Sequence, residues 1–293
     1  MPKVHDKHIV LRKPDWLKIR LRSDETSAEV ERIVEGHSLH TICSSGMCPN
    51  KAECWSRRTA TFMIMGDICT RSCRFCATRT GRPLPLDEQE PDNVARSVKL
   101  MHLKHVVVTS VTRDDLPDAG ARHWARTVEA IRRENPDTTI ELLISDMDAR
   151  AESIDIVLAS RPDIVGHNIE TVERLTPEVR SRAKYATSLA ALRHIARSGT
   201  IAKSGLMVGL GESDEEVLSA LEDLHKAGVR IVTIGQYLQP TKEHHPVAAY
   251  ITPEKFEWYR LKALEMGFSY CASAPLVRSS YLADAALEAV GRV

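Results

Sequence analysis

Six of the seven cysteines in this chain lie between residues 43 and 76, in two groups of three. Their spacings are Cys43-x4-Cys48-x5-Cys54 and Cys69-x3-Cys73-x2-Cys76. A structural zinc ion takes four ligands, commonly from closely spaced cysteine pairs, and neither triplet has an adjacent fourth ligand. Thiolates are also the standard ligands of iron–sulfur clusters. Each triplet therefore suits a [4Fe–4S] cluster with one iron left open for a substrate, and zinc is the first alternative.

The composition limits the class of protein that surrounds these cysteines. Of 293 residues, 43% are hydrophobic and 27% charged, and 40 Lys and Arg residues balance 40 Asp and Glu residues. A zero net charge argues against a general nucleic-acid binder. The sequence has no apolar run of membrane-spanning length and no apolar signal-peptide core at its N-terminus. We expect a cytoplasmic protein, in which clustered cysteines are more often metal ligands or catalytic groups than disulfides.

Six apolar runs along the chain read as strands, and segments with helical spacing separate them. The runs are Arg58–Asp67, His105–Thr112, Thr138–Asp146, Pro162–Glu170, Thr200–Glu212 and Val229–Pro240. The helical segment after Ser213 starts with a capping box, Ser213 with Glu216, and stops at Gly228. Strand and helix alternate about every 30 residues, which predicts an α/β fold built from βα units around a parallel sheet.

Polar residues follow these strands where each one ends. They are Asp67, Thr112–Asp115, Ser145 and Asp146, Asn168 and Glu170, Gly209–Glu212, and Gln236 and Tyr237. In parallel α/β barrels and open sheets the C-terminal ends of the strands form the active face. Together with the cysteines after the first strand, this set predicts a site at that face.

The loop "GDICTRSCRFC", with Phe75 directly before its last cysteine, resembles the cluster-binding motif of radical S-adenosylmethionine (SAM) enzymes. In that family three cysteines bind three irons of a [4Fe–4S] cluster, and the amine and carboxylate of SAM chelate the fourth. Electron transfer then cleaves the sulfonium to a 5′-deoxyadenosyl radical. The resemblance implies a partial (β/α)6 barrel, which agrees with the six strands. We expect this barrel over residues 56–250, with extensions at 1–55 and 251–293.

A wider resemblance covers nearly the whole chain. The paired triplets, "CPNKAECW", "HVVVTSVTRDDLPD", "QYLQPTKEHHPV" and the terminal "RSSY" (Arg278–Tyr281) resemble the lipoyl synthase family. The resemblance implies insertion of two sulfur atoms at C6 and C8 of a protein-bound octanoyl-lysine group, with two SAM molecules consumed. It also implies that the first triplet holds an auxiliary [4Fe–4S] cluster, which supplies the sulfide.

A serine of "RSSY" completes the auxiliary cluster in the resembling family. Ser280 is the preferred candidate here and Ser279 the second. The remaining cysteine, Cys271, is the alternative, because a thiolate is the softer ligand for iron. A serine oxygen suits a cluster that must give up its own sulfide, since one ligand is then easily lost.

SAM needs polar partners for its ribose, its carboxylate and its adenine. Glu170 is placed to accept from ribose hydroxyls, as carboxylates do in dinucleotide sites, and Asn168 shares its strand face. Lys203 is the expected partner of the SAM carboxylate. The backbone around Gly209 in "VGLGE" is expected to lie near the adenine. The predicted cosubstrate contacts are completed by Phe75 and Tyr237.

The expected partners are octanoylated lipoyl-carrier domains: the E2 component of 2-oxoacid dehydrogenases and the glycine cleavage H protein. An external electron donor is also required, and we expect a monomer that binds neither nucleic acid nor membrane. Two alternatives stay open: a zinc-stabilised binding protein, and a radical enzyme whose second cluster only transfers electrons. The adjacent His244 and His245 in "KEHHP" point different ways on any regular element, which disfavours joint zinc ligation.

Overall fold

The computed structural model describes residues 12–18, 24–281 and 283–291. Parts of the predicted terminal extensions, residues 1–11, 19–23, 282 and 292–293, therefore lie outside the described residues. The α-helices are α1 Glu25–Gly36, α2 Ile42–Ser45, α3 Lys51–Ser56, α4 Glu90–Leu100, α5 Ala121–Glu134, α6 Ala151–Ala159, α7 Thr176–Val179, α8 Tyr185–Arg197, α9 Asp214–Lys226, α10 Pro253–Glu265 and α11 Ala283–Ala289. Short 3-10 helices cover Asp15–Leu17, Met147–Ala149 and Glu173–Leu175.

The strands are β1 His40–Thr41, β2 Thr61–Ile64, β3 Ile68–Cys69, β4 Arg79–Thr80, β5 His105–Ser110, β6 Thr139–Leu143, β7 Ile164–Gly166, β8 Ile201–Val208, β9 Ile231–Gln236 and β10 Tyr270–Ser273. Eight of them form one open sheet in the order β1-β2-β5-β6-β7-β8-β9-β10. Only the edge strand β1 is antiparallel to its neighbour, and the other pairings in this sheet are parallel. The two-residue strands β3 and β4 pair separately.

The six predicted strands are confirmed, since β2, β5, β6, β7, β8 and β9 lie inside the six apolar runs. The capping box of α9 is also confirmed: the Glu216 amide donates to Ser213 Oγ, and the Ser213 amide donates to the Glu216 carboxylate. Gly228 follows the helix with a φ of 88°, the left-handed conformation that ends helices. The sheet adds one parallel strand, β10, which the sequence did not predict.

The core lies between the sheet and the helices on its outer face. Phe62 of β2, Trp124 of α5 and Phe256 of α10 are fully buried. Parallel strands covered on both sides read as continuous apolar runs, which is why β5 and β9 are dominated by Val and Ile. Truncation of one such aromatic side chain to Ala costs about 3–5 kcal/mol of folding free energy.

The terminal segments join the same sheet. Strand β1 lies within the predicted N-terminal extension and β10 within the C-terminal one. Gly235 of β9 allows the C-terminal segment to approach closely, because a Cβ there would lie 2.2 Å from the Val277 carbonyl oxygen. Among the residues that the structure describes, no helix has both the length and the apolar character to cross a membrane.

Candidate active site

A cavity of about 580 Å³ lies at the C-terminal ends of the parallel strands. Its wall includes the ends of β5, β6 and β9 and the residues that directly follow β6, β7 and β9. Because these strands run in the same direction, their C-terminal ends meet at one edge of the sheet. The predicted location of the site is therefore where the structure has its large cavity.

The cavity brings together both cysteine triplets and most of the other predicted site residues. The predicted residues in its wall are Cys43, Cys48, Cys54, Cys69, Cys73, Cys76, Phe75, Asn168, Glu170, Tyr237, Ser279 and Ser280. Two predicted residues, Lys203 and Gly209, are not part of the wall.

The second triplet lies on the loop that follows β2. Met65 and Gly66 reverse the chain with φ values of 68° and 89°. Glycine adopts such angles without strain, and their use by Met65 shows that its surroundings hold it there. The Cys69 thiol accepts a hydrogen bond from the amide of Thr112, directly beyond β5, at 3.3 Å. The loop is thus attached to the neighbouring strand through one of its cysteines.

A buried arginine fixes the middle of this loop. The guanidinium of Arg71, whose side chain is 4% exposed, makes two hydrogen bonds of 2.8 Å with Asp114 and contacts Asp146 at 2.8 Å. Burial raises the pKa of Asp146, but the hydrogen bond and the charge of Arg71, with the Asp148 amide and other nearby groups, together outweigh it and lower the pKa to about 2. Asp146 follows β6, so the loop is tied to a second strand end.

The first triplet lies on two short helices in the N-terminal segment and on the connection between them, which carries Cys48. Cys43 is in α2, whose N-cap Thr41 accepts a hydrogen bond from the Ser44 amide at 3.3 Å, and Cys54 is in α3. Burial, then the neighbouring thiols Cys43 and Cys48, raise the pKa of Cys54 to about 12. The thiols of Cys43 and Cys48 are thus close enough to disfavour a negative charge on Cys54.

The C-terminal "RSSY" segment reaches this triplet. Thr61 donates to Ser280 Oγ at 2.8 Å, and Asn168 donates to Ser279 Oγ at 2.6 Å. The Tyr281 hydroxyl donates to Glu53, between Cys48 and Cys54, at 3.0 Å. Both candidate serines thus lie in the cavity wall.

The remaining cysteine is elsewhere. Cys271 is 5% exposed, lies in β10 and is not part of the cavity wall. Burial raises the pKa of its thiol to about 12. In its position within the sheet Cys271 packs as a small apolar side chain.

Glu170 has an unusual backbone for a charged residue. Its φ is 67°. Its amide donates to the Gly205 carbonyl at 3.1 Å, and its carbonyl accepts from the Met207 amide at 2.8 Å, so both backbone groups are bonded to β8. Non-glycine residues in this conformation are uncommon and concentrate at functional sites. Burial raises the pKa of the Glu170 carboxyl, while Arg180 and Asn168 act in the opposite direction.

Lys203 and Gly209 have other partners. The Lys203 ammonium contacts the buried Glu141 carboxylate at 2.6 Å, and its side chain is 4% exposed. Lys203 is near the start of β8, whereas the cavity lies at the strand's far end. The Gly209 amide donates to Glu212, and its carbonyl accepts from the Ala248 amide.

Arg180 is the cavity cation that the sequence did not indicate. Its Nη1 donates to Ser188 Oγ at 2.8 Å and to the Ile169 carbonyl at 3.2 Å, while its Nε has no partner among the described residues. Ser188 also contacts His167 Nε2 at 2.9 Å. Burial, then Arg180, lower the His167 pKa to about 4, so this ring is neutral. Arg180 follows α7 with no motif to mark it.

Comparison with known proteins identifies the family. A family model described as the Radical SAM superfamily matches residues 63–224. The lipoyl synthase of Parabacteroides distasonis is 59% identical to this chain over 274 residues, which cover 94% of this chain and 98% of that protein. The lipoyl synthase of Bacteroides thetaiotaomicron is 60% identical over 274 residues, which cover 94% of this chain and 97% of that protein. The lipoyl synthase of Porphyromonas gingivalis is 60% identical over 275 residues, 94% of this chain and 98% of its own. The chain belongs to the lipoyl synthase family.

Solved structures of low sequence identity share the fold of this chain. Methylornithine synthase (PylB) superposes with a TM-score of 0.55 at 13% identity, covering 87% of this chain and 84% of that one. HydG, a maturase of the [FeFe]-hydrogenase, superposes with a TM-score of 0.53 at 14% identity, covering 90% of this chain and 74% of that one. Identities this low bear on the fold alone, and they agree with the open parallel sheet.

The superfamily implies one [4Fe–4S] cluster and SAM, and the residues of this lipoyl synthase family member fit them. All seven cysteines are free thiols. Burial raises the pKa of Cys76, and the nearby Cys73 and Cys69 raise it further. Such thiols become thiolates when cationic iron offsets their charge.

A single metal ion is a separate question from a cluster. Within the described residues, no three or more His, Cys, Asp or Glu side chains are arranged around a point where one ion would sit. The ligands of a four-iron cluster bind different irons and stand farther apart. The finding therefore bears on single-ion sites alone.

Proposed function

We propose that this chain is a lipoyl synthase, which inserts sulfur at C6 and C8 of an octanoyl group on a lysine of a lipoyl-carrier protein. The observation that carries the proposal is that both cysteine triplets and the "RSSY" serines line one cavity. The high identity to lipoyl synthases over almost their whole length supports it. A protein that only initiates radical chemistry has no need of a second triplet in the same cavity.

In this proposal Cys69, Cys73 and Cys76 hold the radical cluster, which supplies the electron that cleaves SAM. The chain's own contribution is to hold the loop rigid. Arg71 does so through Asp114 and Asp146, and the Thr112 amide does so at the Cys69 sulfur. A hydrogen bond to a sulfur ligand also favours its negative charge, which is one of the means by which proteins tune such clusters.

Cys43, Cys48 and Cys54 hold the auxiliary cluster, which supplies the sulfide, and Ser280 is its fourth ligand. Thr61 supports this role, because its hydroxyl hydrogen points at Ser280 Oγ and stabilises negative charge there. Ser279 is occupied by the Asn168 amide at 2.6 Å. Cys271 takes no part, since it lies in β10 away from the cavity wall.

The cosubstrate is held by the residues that follow β7, together with Arg180, Phe75 and Tyr237. Glu170 accepts from the ribose hydroxyls, with Asn168 beside it on the same side of the cavity. Arg180, which is part of the cavity wall, takes the carboxylate of SAM in place of Lys203, whose charge is neutralised by Glu141. The rings of Phe75 and Tyr237 offer apolar surface to the adenine. The polar end of Tyr237 is already used, since its hydroxyl donates to the His245 carbonyl at 2.7 Å. Gly209 has no free backbone group to offer.

The substrate domain is the octanoylated part of the E2 component of 2-oxoacid dehydrogenases or of the glycine cleavage H protein. An external reductant provides the electrons, the enzyme works as a monomer, and the reaction takes place in the cytoplasm, where thiols stay reduced. Support for the carrier substrate comes from the family.

One experiment tests the function. The reconstituted protein is incubated without oxygen with an octanoyl-lysine peptide, SAM and reductant, and the peptide is then weighed by mass spectrometry. We expect a dithiolated product together with 5′-deoxyadenosine. Formation of 5′-deoxyadenosine with a dehydrogenated or methylthiolated peptide would assign the chain to another radical reaction, and a colourless zinc-containing protein would exclude radical chemistry.

A further inference from the structure

The two adjacent histidines of "KEHHP" contact the radical-cluster loop. His244 Nε2 lies 3.0 Å from the carbonyl oxygen of Cys76, the third cysteine of that loop. The backbone amide of His245 donates to the carbonyl of Arg74 at 2.8 Å. Consecutive residues of one turn therefore hold two carbonyls of the loop, one on each side of Phe75.

The contacts of His244 fix its tautomer. A carbonyl oxygen can only accept, so Nε2 carries the hydrogen that is donated to Cys76. Nδ1 lies 2.8 Å from Thr241 Oγ1, within hydrogen-bond distance of that hydroxyl. The ring is thus a donor through Nε2, oriented by Thr241.

The same turn is attached to the cavity wall. Leu238, Gln239 and Pro240 line the cavity just before the turn begins, and Gln239 Nε2 donates to the His244 carbonyl at 3.0 Å. From the other side, the Arg74 amide donates to the Val179 carbonyl at 2.9 Å. The C-terminal half of the cluster loop is therefore held between the turn after β9 and the end of α7.

We propose that His244 is a positioning residue for the radical cluster. Through the Cys76 carbonyl it fixes the third cysteine relative to the segment after β9, which carries Tyr237 of the proposed cosubstrate site. The proposal rests on the proposed function only in assigning the cluster to Cys69, Cys73 and Cys76. Loss of one hydrogen bond changes an equilibrium by about fivefold, which is a measurable effect at a site that must keep its metal.

The test compares three variants of the full chain with both clusters reconstituted. His244→Leu removes the donor, and His244→Gln places an amide nitrogen near the position of Nε2. The matched control is His194→Leu, which removes a half-exposed histidine contact with Asp155 at the far side of α8. The SAM-responsive part of the reduced cluster's EPR signal identifies the radical cluster. The readout is the rate at which this signal is lost after an iron chelator is added.

We expect His244→Leu to lose this signal about fivefold faster than the unaltered protein, with His244→Gln within about twofold of it and His194→Leu unchanged. A loss rate for His244→Leu equal to that of the control would overturn the proposal. So would equal losses for His244→Gln and His244→Leu, because the donor would then be irrelevant. The readout does not depend on lipoyl formation. If no lipoyl product forms but His244→Leu still loses the EPR signal faster than the control, the proposed function fails and the role of His244 stands.

Discussion

The two cysteine triplets open onto one cavity but are built in different ways. The loop of Cys69, Cys73 and Cys76 is fixed by the barrel itself, through Thr112 after β5 and Asp146 after β6. Cys43 and Cys54 lie in the short helices α2 and α3, Cys48 lies between them, and the chain's other end contacts this segment. Asn50 donates to the Leu276 carbonyl at 2.7 Å, across 226 positions of sequence.

This difference separates the expected roles. A loop anchored at strand ends keeps its geometry through many reactions, as a reusable radical source must. A site assembled where the two terminal segments meet can lose a ligand and be refilled without disturbing the sheet. The contacts of Ser280 with Thr61 of β2 and of Ser279 with Asn168 after β7 join the "RSSY" segment to the sheet.

The largest effects should follow removal of one cysteine from each triplet. Cys73→Ala should abolish SAM cleavage, because the radical cluster loses one of three protein ligands. Cys48→Ala should still form 5′-deoxyadenosine but no sulfur-containing product. Both are measured by chromatography of reconstituted protein with the octanoyl-lysine peptide. Complete loss of cleavage in Cys48→Ala with full iron at the other site would contradict the division between the triplets.

A smaller and more selective effect is expected at the serine ligand. Ser280→Cys should hold iron more firmly, because a thiolate is the softer ligand. The auxiliary cluster then assembles, but the product stalls at the stage with one sulfur at C6 or earlier. Ser279→Cys is the matched control, one residue away in the same cavity wall. A stall in Ser279→Cys with normal product from Ser280→Cys would exchange the roles of the two serines.

On the barrel side, Glu170→Ala should weaken SAM binding by roughly ten- to a hundredfold, the effect of losing one charge-assisted hydrogen bond. Iron content should be unchanged, because Glu170 touches neither triplet's anchoring contacts. Calorimetry measures the affinity, with the exposed neighbour Glu173→Ala as the control. An unchanged affinity would remove Glu170 from the cosubstrate site.

The smallest effect concerns the neutral His167 behind Arg180. Its folded pKa of about 4 lies below the ordinary 6.5, so the unfolded chain takes up a proton first as the pH falls. The free energy of unfolding should therefore drop by about 1 kcal/mol from this group between pH 7.5 and 5.5. Urea unfolding at the two pH values measures it. His167→Gln should reduce the drop by that amount, and an unchanged drop would mean that His167 is charged in the folded protein.

Local sequence patterns predicted much of this molecule. Strands such as β5 were visible as apolar β-branched runs, whereas β10, with the sequence "YCAS", has too little apolar character to be seen alone. The cysteines were found by spacing. Lys203 was misplaced because a sequence shows that a lysine is in a strand but not which end of the strand it occupies. Asn50 gave no signal because its partner, Leu276, is distant in the chain, and Arg180 gave none because no motif marks it.

The central claim is that one triplet is reused while the other is spent, and the source of the sulfur tests it most directly. The protein is reconstituted with heavy sulfide, transferred to buffer containing light sulfide, and allowed one turnover on the octanoyl-lysine peptide. The account predicts that both sulfur atoms of the lipoyl product are heavy and that iron is lost from the Cys43, Cys48 and Cys54 site alone. A product whose sulfur is light would contradict it.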